Sequence, residues 1–99
     1  MIGAPPPEFK RMCQNLGPDL AEFVSSWDDV VQHALIGVDR ADALAIRNFL
    51  SQLLSAGLSD NDFKAFWWAM PVTTVFETGE QVRILLAGIY EAVSKPPYT

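Results

Sequence analysis

Apolar residues recur along the chain at helical spacing, and the gaps between the periodic runs hold glycine, proline and small polar residues. After Pro5-Pro6-Pro7, the residues Phe9, Met12, Cys13 and Leu16 lie three or four apart, which predicts a short one-faced helix stopping at Gly17-Pro18. Leu20, Phe23 and Val24 carry the rhythm to Ser25-Ser26. Ser26, with Asp29 three residues on, is placed to cap a further helix with apolar positions Trp27, Val30, Val31, Ala34 and Leu35, ending at Gly37. Asp39 and Asp42 then open a longer helix on Ala43, Ile46, Leu50 and Leu53, flanked by Phe49 and Leu54 and stopped at Gly57.

The join "SAGLSDNDF" packs three signals into three residues. Gly57 suits the left-handed conformation after a helix, Ser59 suits the cap of the next, and Leu58 between them is expected to touch Leu53 behind and Phe63 ahead. The following stripe is Phe63, Phe66, Trp67 and Met70, closed by Pro71 because the residue before a proline avoids helical dihedrals. Trp68 falls about 100° round the helix from Trp67, at the edge of that stripe. "PVTTVFE" is β-branched but has no partner strand, so it reads as a connection covering one end of the core. Thr78 and Gln81 are expected to form a capping box opening a last helix that bears Val82, Leu85, Leu86, Ile89 and Val93 and is ended by Pro96-Pro97. The expected architecture is all-α, a compact bundle of four to six helices in one domain over residues 1–99, with 1–6 a flexible lead-in and 96–99 a tail.

The chain has 99 residues, of which 49% are apolar, enough for one core and no second domain. Seven basic against twelve acidic residues leave a formal charge of -5. That balance opposes general affinity for nucleic-acid phosphates or anionic membrane surfaces and favours a basic partner. It also weakens a helix-turn-helix reading of "FLSQLLSAGLSDNDFKAFWWAM": a recognition helix should offer Arg, Lys, Asn or Gln to base edges, whereas Asp60 and Asp62 open this one and Lys64 is its only cation. One cysteine, Cys13, allows no internal disulfide and suits a reducing compartment. No charged leader and no membrane-length apolar run is seen, so a soluble, cytoplasmic protein is expected.

Catalytic chemistry finds little support in the letters. His33 is the sole histidine, and its place in the last turn before Gly37 is explained by the helix dipole. There is no G-x-S-x-G elbow, glycine-rich phosphate loop or EF-hand loop. Accordingly, no enzyme, no cofactor and no metal is expected. Asp28, Asp29, Asp39, Asp42, Asp60 and Asp62 all fall in caps or first turns, where a carboxylate opposes the helix partial charge by about 0.3–1 kcal/mol. Being exposed there, some are also available to form a negative surface. Trp67 is read as core; for Trp68, partial burial against "PVTTVF" and a contact role both stay open.

The segments "FVSSW", "DDVVQHAL", "FLSQLLSAGLSDNDFKAF" and "GEQVRILLAGIYEAV" together resemble, from Phe23 to Val93, the small all-helical immunity proteins of bacterial contact-dependent growth inhibition and related polymorphic toxin systems. Phe23 and Trp27 stand at the spacing of that family's F-H-Q-D-W segment, and "LLSAGLSD" matches its L-L-x-x-G-L-S turn and acidic helix start. Two departures stand out: Val24-Ser25-Ser26 replace the polar middle of F-H-Q-D-W, and "PVTTVFETG" is apolar where the family's loop is polar and tyrosine-rich. The resemblance implies a non-enzymatic protein that neutralises a basic toxin domain through an acidic helical surface. Asp39, Asp42, Asp60, Asp62 and Trp68 are the candidate contact residues. The alternative expectation is a structural or adaptor helical module that self-associates through surplus apolar surface.

Overall fold

The computed structural model describes residues 4–17, 26–70, 76 and 78–98. Among them lie five helices and no strand: α1 Pro7–Cys13, α2 Trp27–Ala34, α3 Arg40–Ser55, α4 Asp60–Trp68 and α5 Gly79–Val93. The expected run through Leu20, Phe23 and Val24 lies outside the described residues, as does "PVTTVFE" apart from Phe76.

Four of the starts use the predicted caps, each accepting one of the backbone donors a helix leaves unpaired. Ser26 Oγ accepts from Asp29 N–H at 3.2 Å, the Asp39 carboxylate from Asp42 N–H at 2.8 Å, and Thr78 Oγ1 from Gln81 N–H at 3.3 Å. At α4 the exchange is reciprocal: Asp62 N–H donates to Ser59 Oγ at 3.2 Å while Ser59 N–H donates to the Asp62 carboxylate at 3.1 Å. The stops at Gly37 and Gly57 have φ of 78° and 72°, a region where a Cβ is strained. Leu58, just past the second, is half-buried against the core between α3 and α4.

Some ends differ from expectation. Regular α1 stops at Cys13, earlier than Gly17, because Asn15 and Leu16 N–H groups donate three residues back, to Met12 and Cys13 carbonyls at 3.0 Å. This tighter turn still buries Leu16. Met70 does the same beyond α4, donating to the Trp67 carbonyl at 3.1 Å. Tyr98, expected in a tail, is half-buried and packs on the core.

The centre of the molecule is α5, which contacts α2, α3 and α4. Its Val82, Leu85, Leu86, Ile89 and Val93 are all at 0% exposure, the full stripe read from the sequence. Two glycines set how closely α5 is approached. At Gly88 an added Cβ would sit 3.0 Å from Val31 Cγ2 of α2. At Gly79, in the first turn, an added Cβ would collide with the main chain of Asp60 at the start of α4. On the other side, α1 is tied to α3 and α4 by three phenylalanines: Phe9 lies 4.9 Å from Phe49 and 6.0 Å from Phe66 between ring centroids, and Phe49 and Phe66 are 6.0 Å apart.

No polar side chain is buried among the described residues, and no buried polar side-chain atom lacks a partner. The nearest approach to an internal polar link is Asn15, which the sequence reading passed over. Its amide donates to the carbonyls of Ala34 at 2.8 Å and Ile36 at 2.9 Å, satisfying the C-terminal end of α2 from the turn after α1.

Two stability predictions follow from these joints. Gly79→Ala should destabilise the fold by about 1–3 kcal/mol, the usual range for overpacking, because the obstacle is backbone and cannot swing away. Thermal denaturation should show a Tm lowered by roughly 4–8 °C for each kcal/mol lost. Asn15→Ala removes two hydrogen bonds and should cost about 1–3 kcal/mol. An unchanged Tm would contradict the bridging role.

Candidate protein-binding surface

Each candidate aspartate occupies a structural position first. Asp39 caps α3, and Asp42 one turn on pairs with Arg11 of α1 at 2.9 Å. Asp60 lies 3.5 Å from Arg83 Nε of α5, and Asp62 completes the α4 capping box. The Arg83–Asp60 pair is solvated on both sides, at 50% and 56% exposure, and Arg11 is 66% exposed although Asp42 is only 21%, so each pair contributes about 1 kcal/mol or less.

These four residues are not gathered into one patch. Asp39 and Asp42 stand at the start of α3, while Asp60 and Asp62 follow its far end, roughly 20 Å away along the helix at 1.5 Å per residue. The single acidic surface expected from the sequence is therefore two acidic ends. The second end is enlarged by tertiary packing, since Gly79 against Asp60 sets the first turn of α5, with exposed Glu80, beside the first turn of α4. Glu80 and Arg83 could not be assigned to this group from the sequence, because nothing local links residue 60 to residue 79.

The paired tryptophans separate cleanly. Trp67 is 1% exposed, and its ring meets Phe76 edge-on at 5.3 Å. Trp68 is 64% exposed. It lies about 135° from the middle of the Phe63, Trp67 and Met70 stripe, on the solvent face rather than at the stripe's edge. Exposed Lys64 and Ala65, four and three residues back, are its helical neighbours. A further departure concerns Trp27, expected to face inward with Val30 and Val31. It is 37% exposed at the start of α2, with its ring 5.8 Å from Phe76. Phe76 thus sits between the two tryptophan rings, so this one described residue of the apolar connection does cover an aromatic end of the core.

A shallow cleft of about 200 Å³ lies between α1 and the α2–α3 link, lined by Arg11, Met12, Asn15, Ile36, Val38 and Asp42. Three of its polar side chains are engaged with one another or with backbone, Arg11 with Asp42 and the Asn15 amide with two carbonyls, while Glu8 lies at its edge. Cys13, on the buried face of α1, has its thiol pKa pushed from 9.0 up to about 12 by desolvation. Such a thiol holds its proton at neutral pH and is a poor nucleophile. His33 is half-buried in the last turn of α2, as its place near the helix end implied. Among the described residues no three His, Cys, Asp or Glu side chains lie close enough to hold a metal ion. No described helix is long and apolar enough to cross a membrane.

Compared with known protein families, curated proteins and solved structures, the chain matches none.

Cys13 generates a prediction with a definite sign. Below pH 9 both folded and unfolded thiols are protonated and the group is silent. Between 9.0 and about 12 only the unfolded chain loses the proton, so stability falls by about 1.4 kcal/mol per pH unit from this group. Denaturant titrations of the wild type and Cys13→Ala at pH 8 and pH 10.5 should show the wild type losing more, and native protein at pH 8 should resist thiol-specific reagents until unfolded.

Proposed function

We propose that this chain is a non-enzymatic binding protein that neutralises a basic toxin domain, in the manner of the immunity proteins its sequence resembles. The observation that carries the reading is Trp68, a large aromatic 64% exposed on a helix whose inner face is otherwise complete. Keeping a tryptophan in water forgoes the gain of burying it, and exposed aromatics are the side chains that most often anchor protein interfaces. At the other end of α4, about 12 Å along the helix from Trp68, Asp60 with Asp62 and Glu80 around the joined starts of α4 and α5 supplies negative charge that would speed encounter with a basic surface. Asp39 and Asp42 lie too far along α3 to share that contact, and serve instead the long-range field of a chain with net charge -5.

The test is binding of the purified chain to a toxin domain encoded beside its gene, with growth protection as the cellular readout. Trp68→Ala should weaken binding by about thirtyfold, the equivalent of a 2 kcal/mol hot spot, while leaving the Tm nearly unchanged. Asp60→Asn should mainly slow association, and the difference should fade as salt is raised. A chain that neither binds nor protects against the neighbouring toxin is no immunity protein. Should it instead form a dimer that Trp68→Ala dissolves, Trp68 is a self-association contact and the adaptor reading takes its place.

A further inference from the structure

A second cleft, of about 160 Å³, runs between α2 and α5 and holds none of the candidate contact residues Asp39, Asp42, Asp60, Asp62 and Trp68. Its floor is Val31, Gly88 and Ala92, and its walls are Asp28 and Gln32 on the α2 side, Glu91 and Lys95 on the other. The floor is low because Gly88 brings no side chain where α2 presses closest, 3.0 Å from Val31 Cγ2 to the position a Cβ would take. One turn before Gly88, on the same stripe of α5, Ile84 is 41% exposed and continues the apolar floor beyond the cleft.

We propose that this cleft seats an arginine side chain of a basic protein partner, with an apolar neighbour of that arginine resting on Ile84. The inference rests on the reading of the chain as a binder of a basic protein, and it identifies a contact which that reading does not require. Three methylenes need an apolar bed, which Val31, Gly88 and Ala92 provide, and the guanidinium at their end needs acceptors, which Asp28 and Glu91 provide at the rim. The planar fork of arginine suits a slot between carboxylates and an amide better than the compact ammonium of lysine. Lys95 already holds Glu91 at 2.9 Å in a solvated i,i+4 pair, so an entering arginine exchanges for a cation that is weakly held.

The probe is an acetylated, amidated Ala-Arg-Leu peptide titrated into the full chain and followed by amide NMR shifts, with Ala-Gln-Leu as its uncharged counterpart. Saturable millimolar binding is expected, with shifts confined to Val31, Gln32, Ile84, Gly88 and Ala92. Asp28→Asn combined with Glu91→Gln should weaken it at least about fivefold, whereas Lys95→Ala, which frees Glu91, should tighten it by about two- to fivefold. All three side chains are on the surface, and circular dichroism checks that the variants stay helical. Shifts that fail to saturate, that spread to Asp39 or Glu80, that appear equally with the glutamine peptide, or that survive the double substitution would overturn the proposal. Sedimentation of the free chain adds a further outcome: a dimer dispersed by the same double substitution would assign the cleft to a second copy and also overturn it. No toxin enters the peptide experiment, so a failed cleft and a failed toxin reading give different results.

Discussion

The approach of Gly79 to the main chain of Asp60 is the contact on which the arrangement of this bundle turns. It brings the start of α5 against the start of α4 with no side chain between them, and α5 is the helix that α2, α3 and α4 all touch. Once that end is seated, the stripe from Val82 to Val93 has only one way to face, and the second glycine, Gly88, lets α2 close onto the same helix. A helix surrounded on three sides can bury its inward stripe, as α5 does from Val82 to Val93, while the more peripheral helices keep broad wet faces. Those wet faces are where Trp68 and Leu44 are found, while Ile84 is on the solvent side of α5 itself.

The aromatic residues divide along the same lines. Phe9, Phe49 and Phe66 close one side of the core across three helices, and Trp27, Phe76 and Trp67 form a second group. Adjacent positions on a helix point about 100° apart, so a Trp-Trp pair cannot be buried together on a one-sided helix. With Trp67 taking the interior, Trp68 is left to solvent, and its cost in water is the reason to assign it a partner.

Charge plays two separate parts. Locally, carboxylates complete caps at Asp39 and Asp62 and form ion pairs at Asp42 and Asp60. Globally, the excess of twelve acidic over seven basic residues survives these arrangements, because pairing a carboxylate with an arginine leaves the net charge unchanged. The result is a helical scaffold with a negative field, on which the proposed cationic partner would act at the α4–α5 corner and the α2–α5 cleft.

The sequence by itself determined the helices, because their signals are local: Ser59 finds Asp62, Asp39 finds Asp42, and Gly37 and Gly57 stop the turns before them, all within a few residues. The inward stripe of α5 was legible for the same reason, as was the interior place of Trp67. What only the tertiary structure decided involves residues far apart in the chain. The outward turn of Trp27, the Asn15 clamp on Ala34 and Ile36, the division of the aspartates between two ends of α3, the joining of Asp60 to Gly79 and the Asp28–Glu91 cleft all belong to this kind. No periodicity records such pairings. They arise when amphipathic helices choose neighbours by shape, and that choice depends on where a glycine lets two backbones meet.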